Sequence, residues 1–166
     1  MTATLAAFES VHDNPIDAIE ELANGNEWPF ERSGESEINI CVAGSWCDYT
    51  LSITMCDSSI LHLTAAFDFR APKPRRVELC VLLALVNERL ALGHFQLGSA
   101  DGSIHYRQST PLGSATRLGS DQCGSMLNAA LTACERFYPA FQFVLWGGKT
   151  AEEAVEAAIL DCHGEA

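Results

Sequence analysis

The feature that most constrains this chain is a strict two-residue alternation between positions 38 and 69. Ile38, Ile40 and Val42 are separated by polar or small residues. Tyr49, Leu51, Ile53 and Met55 repeat the pattern, and Leu61, Leu63, Ala65, Phe67 and Phe69 repeat it again. Successive side chains of a strand point to opposite faces, so a period of two makes strands with one dry and one wet face. If Gly44-Ser45 is a two-residue hairpin turn, Val42 lies opposite Cys47, Ile40 opposite Tyr49 and Ile38 opposite Leu51. All of these fall on the apolar face, so register and pattern agree. The next turn, around Asp57-Ser58-Ser59, needs an odd number of residues to keep Met55 and Leu61 on that face.

A one-faced meander needs a cover, and the flanking segments read as helices. Asn14-Pro15 is a helix start, an N-cap oxygen followed by a proline whose missing N–H costs nothing there. Ile16, Ile19 and Leu22 continue that helix to Gly25. Pro72 and Pro74 end the meander, and an apolar helix is expected from about Arg75 to Leu92, with Gly93 as its stop. Phe95 and Leu97, then Asp101-Gly102, then Ile104 and Tyr106 read as a second hairpin. A type I′ turn at Asp101-Gly102 would set Leu97 against Tyr106. Pro111 to Gly119 reads as a loop. Ser120 or Asp121 then caps a helix carrying Met126, Leu127, Ala130, Leu131, Cys134, Phe137 and Tyr138, which Pro139 is expected to break or kink before helix resumes to Trp146. Thr150, with Glu153 three residues on, opens a last helix over Ala151 to Leu160. The expected fold is α+β and two-layer, an antiparallel β-sheet covered on one face by helices. Residues 1–13 read as a frayed N-terminus and 14–162 as a single domain.

Charge narrows the partners. The 22 acidic residues outweigh 10 Lys and Arg, a formal charge of −12. That field repels nucleic-acid phosphates and anionic lipid, and attracts basic segments over about 8 Å at physiological salt. Solubility alone also accounts for it. The basic run Arg70, Lys73, Arg75 and Arg76 reads either as a solvated helix start or as a local anion contact. The first residues have no basic n-region and do not read as a signal peptide. Val77 to Leu92 contains Glu78, Asn87, Glu88 and Arg89, too many polar groups in too short a run to span a bilayer. Seven cysteines without a Cys-x-x-Cys pair read mostly as small buried hydrophobes, and the location expected is the cytoplasm.

No set of residues amounts to a catalytic or metal site. Gly147-Gly148-Lys149-Thr150 looks like the end of a phosphate-binding loop, but the position that needs the first glycine is Phe143 and the preceding segment is apolar. His62 and His105 share the wet sheet face without metal-ligand spacing, and Cys162-His163 are too close to chelate one ion well. Cys47 and Cys56, in or beside turns, are the expected exposed thiols; a nucleophile would need a base and an electropositive pocket, which a charge of −12 makes harder to arrange. No Gly-x-Ser-x-Gly occurs. What remains is surface. The helix at 77–92 has more apolar surface than one sheet face covers, and two coverings stay open: a partner or dimer, or the C-terminal helices. Val81, Leu85, Arg89 and Leu92 mark the candidate partner or dimer surface.

Val77–Leu90, the Gly93–Arg107 hairpin and the run from Tyr138 to Thr150 (Tyr-Pro-Ala-Phe-Gln-Phe-Val-Leu-Trp-Gly-Gly-Lys-Thr) resemble the YbjN-type family of bacterial sensory transduction regulators. The resemblance covers roughly Asn14 to Leu160. It implies a fold similar to type III secretion chaperones, small acidic α+β homodimers that bind protein segments. It brings no catalytic residues and no cofactor. The expected function is a non-enzymatic protein-binding module, chaperone-like or regulatory and homodimeric. The alternative is a small-ligand sensor with a pocket between sheet and helices.

Overall fold

The computed structural model describes residues 13–57, 59–112 and 118–163, the last three as backbone. The expected frayed start and most of the expected 111–119 loop lie outside the described residues. Helix α1 spans Pro15–Gly25 and begins as its sequence requires, with Asn14 Oδ1 accepting from the Ile16 N–H at 3.0 Å. Ile16, Ile19 and Leu22 form its buried stripe. Strands follow at Phe30–Arg32 (β1), Glu37–Ala43 (β2), Asp48–Cys56 (β3) and Ile60–Arg70 (β4). Helix α2 (Arg76–Asn87) separates these from β5 (His94–Leu97) and β6 (Ser103–Pro111), and α3 (Ser120–Leu145) and α4 (Ala151–His163) complete the chain. The six strands form one antiparallel sheet in the order β1-β2-β3-β4-β6-β5. The fold is α+β.

The alternation predicts the dry face correctly. Ile38, Ile40, Val42, Tyr49, Leu51, Ile53, Leu61, Leu63 and Ala65 are all buried. The hairpin registers differ from expectation. Val42 pairs with Tyr49, Ile40 with Leu51 and Ile38 with Ile53, so four residues, Gly44–Cys47, make the first turn instead of two. Leu97 pairs with Ile104 and Phe95 with Tyr106, so the second hairpin is not a two-residue type I′ turn either. There Asp101 Oδ1 accepts from the Ser103 N–H and Oγ, a local bond that competes with the tighter turn. Both slips are by two, so every side chain keeps its face. The middle turn has three residues, with Cys56 opposite Ile60, as the odd-number rule demands. β1 and the extension of β6 to Pro111 are additions to the expected strands. Proline fits at 111 because β6 pairs with β5 only as far as Arg107, leaving an open edge.

Helix α2 is shorter than expected, ending at Asn87. The Asn87 amide leaves the helix pattern to clip the edge strand, accepting from the Phe95 N–H at 2.7 Å and donating to its carbonyl at 3.0 Å. Gly93 follows at φ 66°, and a Cβ there would meet the Tyr106 hydroxyl at 2.2 Å.

Pro139 neither breaks nor interrupts α3, which runs unbroken from Ser120 to Leu145. A proline removes one N–H and orphans the carbonyl four residues earlier, here that of Glu135. That carbonyl accepts a hydrogen bond from the Trp46 indole N–H at 3.2 Å. The same glutamate's Oε1 accepts from the Ser45 N–H at 2.9 Å, so the β2–β3 turn clasps α3 at its weak point. Gly44 makes the approach possible, since a Cβ there would lie 2.3 Å from both Glu135 Oε1 and the Tyr49 ring.

Trp46→Phe keeps a ring but removes the donor. It should lower stability by about 1 kcal/mol in urea unfolding. In a Pro139→Ala background, where residue 139 supplies its own N–H, the loss should be clearly smaller. Equal losses in the two backgrounds would show that the indole bond does not serve the orphan carbonyl.

Candidate functional site

The motifs with a chemical look have structural explanations. Gly147-Gly148-Lys149-Thr150 is the turn between α3 and α4. The Gly147 N–H donates to the Gln142 carbonyl and the Lys149 N–H to the Phe143 carbonyl, with Gly148 at φ 66°. Thr150 caps α4 reciprocally: its Oγ1 accepts from the Glu153 N–H at 3.3 Å and its N–H donates to Glu153 Oε2 at 3.0 Å. Lys149 Nζ lies 5.3 Å from the Phe143 ring centre. Arg70 faces Asp101 at 3.7 Å, and Arg76 donates to the Ala71 and Ser99 carbonyls, so half of the basic run braces the β5–β6 turn.

Among the six described cysteines only Cys123 and Cys134 are buried, fewer than expected. Cys56 is exposed, as expected of a turn residue. Cys47 instead lies half-buried against the core. Burial, then the Asp68 charge, pushes its thiol up to about 11, away from nucleophilic character. Burial raises Cys123 to about 11 as well. The side chains of Cys162 and His163 lie outside the described residues. Among the described residues, no three His, Cys, Asp or Glu side chains converge as metal ligands.

Two surfaces stand out. The first is the outer face of α2. Leu79, Leu82 and Val86 face inward, and α4 packs on α2 and α3, its first N–H donating to Glu78 Oε1 at 2.7 Å. This leaves Val77 at 78% exposure, Val81 at 42% and, beyond the helix, Leu92 at 57%. Cys80 and Ala84 lie exposed beside them. Leu85 is half-buried against the core, and Arg89 is exposed with its guanidinium donating to the Leu85 carbonyl. Val77 belongs to this face and is absent from the four residues singled out from the sequence; the helical i, i+4 spacing to Val81 is the signal that would have included it.

The second surface is at the sheet end by the β2–β3 turn. Register against β6 shifts between Ala66 and Arg70, an irregularity in β4 that turns Asp68 off the wet face. Asp68 Oδ1 accepts from the Tyr138 hydroxyl at 2.8 Å. Phe69 lies edge-on to Tyr138 at 5.2 Å and to Trp146 at 5.0 Å, and Trp46 stacks parallel to Tyr138 at 6.4 Å. Trp46 is 49% and Trp146 60% exposed. Beneath them the Tyr49 hydroxyl is buried without a hydrogen-bond partner among the described residues. A cleft of about 480 Å³ occurs elsewhere, at the β5–β6 edge beside Leu92, His94 and Arg107, outside the sheet–helix interface.

Comparison with known proteins settles the family. The family model described as "Putative bacterial sensory transduction regulator", YbjN, matches residues 15–143. This chain belongs to the YbjN family. The solved structure titled "Crystal structure of YbjN, a putative transcription regulator from E. coli" is similar in fold, with a TM-score of 0.53 at 9% identity, covering 92% of this chain and 96% of that one. A search of curated proteins found no match. The YbjN description is regulatory and names no reaction. Among the described residues no helix is long and apolar enough to cross a membrane.

The wet sheet face of this YbjN-family chain carries a polar network. Asn39, Ser52, Thr64, Arg107 and His94 form one row across five strands. Arg107 donates to His62 Nε2 at 3.1 Å and to Gln96 Oε1 at 3.2 Å. Arginine has no acceptor, so His62 Nε2 must be unprotonated and Nδ1 donates to Ser109 Oγ at 2.8 Å. His105 lies apart from His62, bonded to Ser103 Oγ at 2.7 Å. Burial, then Arg107 and His94, holds His62 below its ordinary 6.5, and burial does the same to His105. In the unfolded chain both titrate near 6.5, so unfolding takes up protons below that pH. Stability should therefore be complete above about pH 6.5 and fall as pH drops through the lower folded values. His62→Gln, which can still accept from Arg107, should flatten that slope in urea unfolding. An unchanged slope would mean that His62 is not held neutral.

Proposed function

We propose that this chain is a non-enzymatic, protein-binding regulatory module that works as a homodimer joined through the outer face of α2. The observation that carries the reading is the row Val77, Cys80, Val81 and Ala84, small and apolar side chains exposed on the outer face of a helix whose Leu79, Leu82 and Val86 are buried. A second copy of the chain suits that face. Lys73 and Arg75 stand at the start of α2 and have no ion pair among the described residues, while Glu88 stands at its end. Antiparallel pairing about Val81 brings each Arg75 to the end of the other copy's helix, near Glu88, and opposes the helix dipoles favourably. The pair is self-complementary, as a two-fold interface requires. The family's regulatory description is consistent with a module that acts by binding. The absence of nucleic acid and membrane from its partners is part of the same reading, since −12 repels both.

Light scattering at micromolar concentration should give twice the 18.0 kDa chain mass. Val81→Asp buries a charge in the interface and should return a single chain mass with an unchanged circular dichroism spectrum. Arg75→Glu should weaken the dimer, and Arg75→Glu with Glu88→Arg should restore it. A monomer at all concentrations, or a Val81→Asp variant of dimer mass, contradicts the proposal.

A further inference from the structure

We propose that the sheet end formed by Trp46, Phe69, Trp146 and Asp68 binds an arginine side chain carried on a protein partner. The proposal rests on the protein-binding reading, though not on the α2 dimer. Two of the chain's three tryptophans, Trp46 at 49% and Trp146 at 60%, are exposed at this one place. Large aromatic rings are the most effective anchors at protein interfaces, and leaving them in water is costly for a chain with no use for them. The rings are not a loose collection. Trp46 is pinned by its bond to the Glu135 carbonyl, and Phe69 is wedged edge-on between Tyr138 and Trp146. Their order lowers the entropy lost when something binds against them.

The occupant follows from charge. Asp68 is bonded to Tyr138, and Glu135, one turn earlier on α3, is bonded to Ser45 of the adjoining turn, so the two carboxylates stand at the same end of the sheet. Asp68 takes a neutral hydroxyl and Glu135 a backbone N–H, and neither has a cation partner among the described residues. The nearby cations are committed elsewhere: Arg70 to Asp101, Lys149 to the Phe143 ring and Arg136 to the Phe137 ring. Exposed indole faces and an unneutralised carboxylate attract the same kind of group. A guanidinium stacks flat on an aromatic face and turns its fork to a carboxylate, which a lysine ammonium cannot do at once. The overall charge of −12 draws such a segment in from a distance.

The test uses the full chain, ¹⁵N-labelled, and a pentapeptide with one central arginine. The readout is the three indole N–H signals. The Trp46 and Trp146 signals should shift saturably, while that of Trp28, beside β1, should stay still. The citrulline analogue keeps the shape without the charge and should bind at least about fivefold more weakly. Asp68→Asn and Trp146→Ala should each weaken binding about three- to fivefold, with the Trp28 signal unmoved as proof of folding. Val81→Asp should bind the peptide as the wild type does, so failure of the dimer and failure of this site are told apart. Equal binding of the citrulline peptide, wild-type affinity in both site variants, or no shift at tens of millimolar peptide would overturn the proposal.

Discussion

Six strands present one apolar face, and a single long helix has to close most of it. Phe137 and Phe141 of α3 are fully buried there, and their rings meet Phe95 and Phe67 at centroid distances of 5.2–6.2 Å. Contacts of this kind contribute beyond their buried area, because edge-to-face rings also satisfy each other's quadrupoles. The other helices are arranged around that contact. α1 lies on one side of α3, α2 on the other, and α4 over the groove between α2 and α3. A proline in the middle of α3 would ordinarily threaten such a plan. The indole of Trp46 occupies the carbonyl that Pro139 orphans, so the helix keeps its length and the sheet keeps its cover. The cover stops there, and the outer face of α2 is what it leaves.

The fold was legible in the sequence to the extent that side-chain period reports it. Parity was readable: each hairpin is two residues longer than the tightest turn, and each still places its apolar residues on the dry face. Absolute register was not readable, because a slip by two leaves the pattern unchanged. Asp101-Gly102 carried the right residues for a tight turn, but the Asp101 side chain bonds to Ser103 and Gly102 sits where a Cβ would meet the Ala71 carbonyl at 2.4 Å. Pro139 was read as a break or a kink, and the break does not occur because its remedy lies ninety-three residues earlier, at Trp46. Asn14-Pro15 and Thr150-x-x-Glu153 were read correctly because each acts within its own few residues, whereas Gly93, read as the stop of α2, lies six residues past its end at Asn87.

The same distinction separates the two surfaces. The α2 face was visible as a helix with too many apolar residues for one contact. Val81 and Leu92 are exposed, and Leu85 turns partly inward. The aromatic end was invisible. It is assembled from a turn, an irregular strand segment, the middle of a helix and the end of that helix, and no spacing in the chain links Trp46, Phe69, Tyr138 and Trp146. Nor does the alternation foresee that Asp68, by its position a wet-face residue, turns to Tyr138. Net charge likewise says nothing of Arg107, which on the wet face is held by a neutral histidine and a glutamine.

The central claim is that a second copy completes the helix layer over α2, and Cys80 reports on it directly. In the single chain this thiol is exposed beside Val77 and Val81, and Cys56, at the far turn between β3 and β4, is exposed as well. Maleimide labelling followed by mass spectrometry, across a range of protein concentrations, compares the two in one sample. If the copies meet through α2, Cys80 is slow to react at high concentration and becomes reactive on dilution, while Cys56 reacts at one rate throughout. If Cys80 keeps pace with Cys56 at every concentration, the α2 face is open to solvent and the account is wrong.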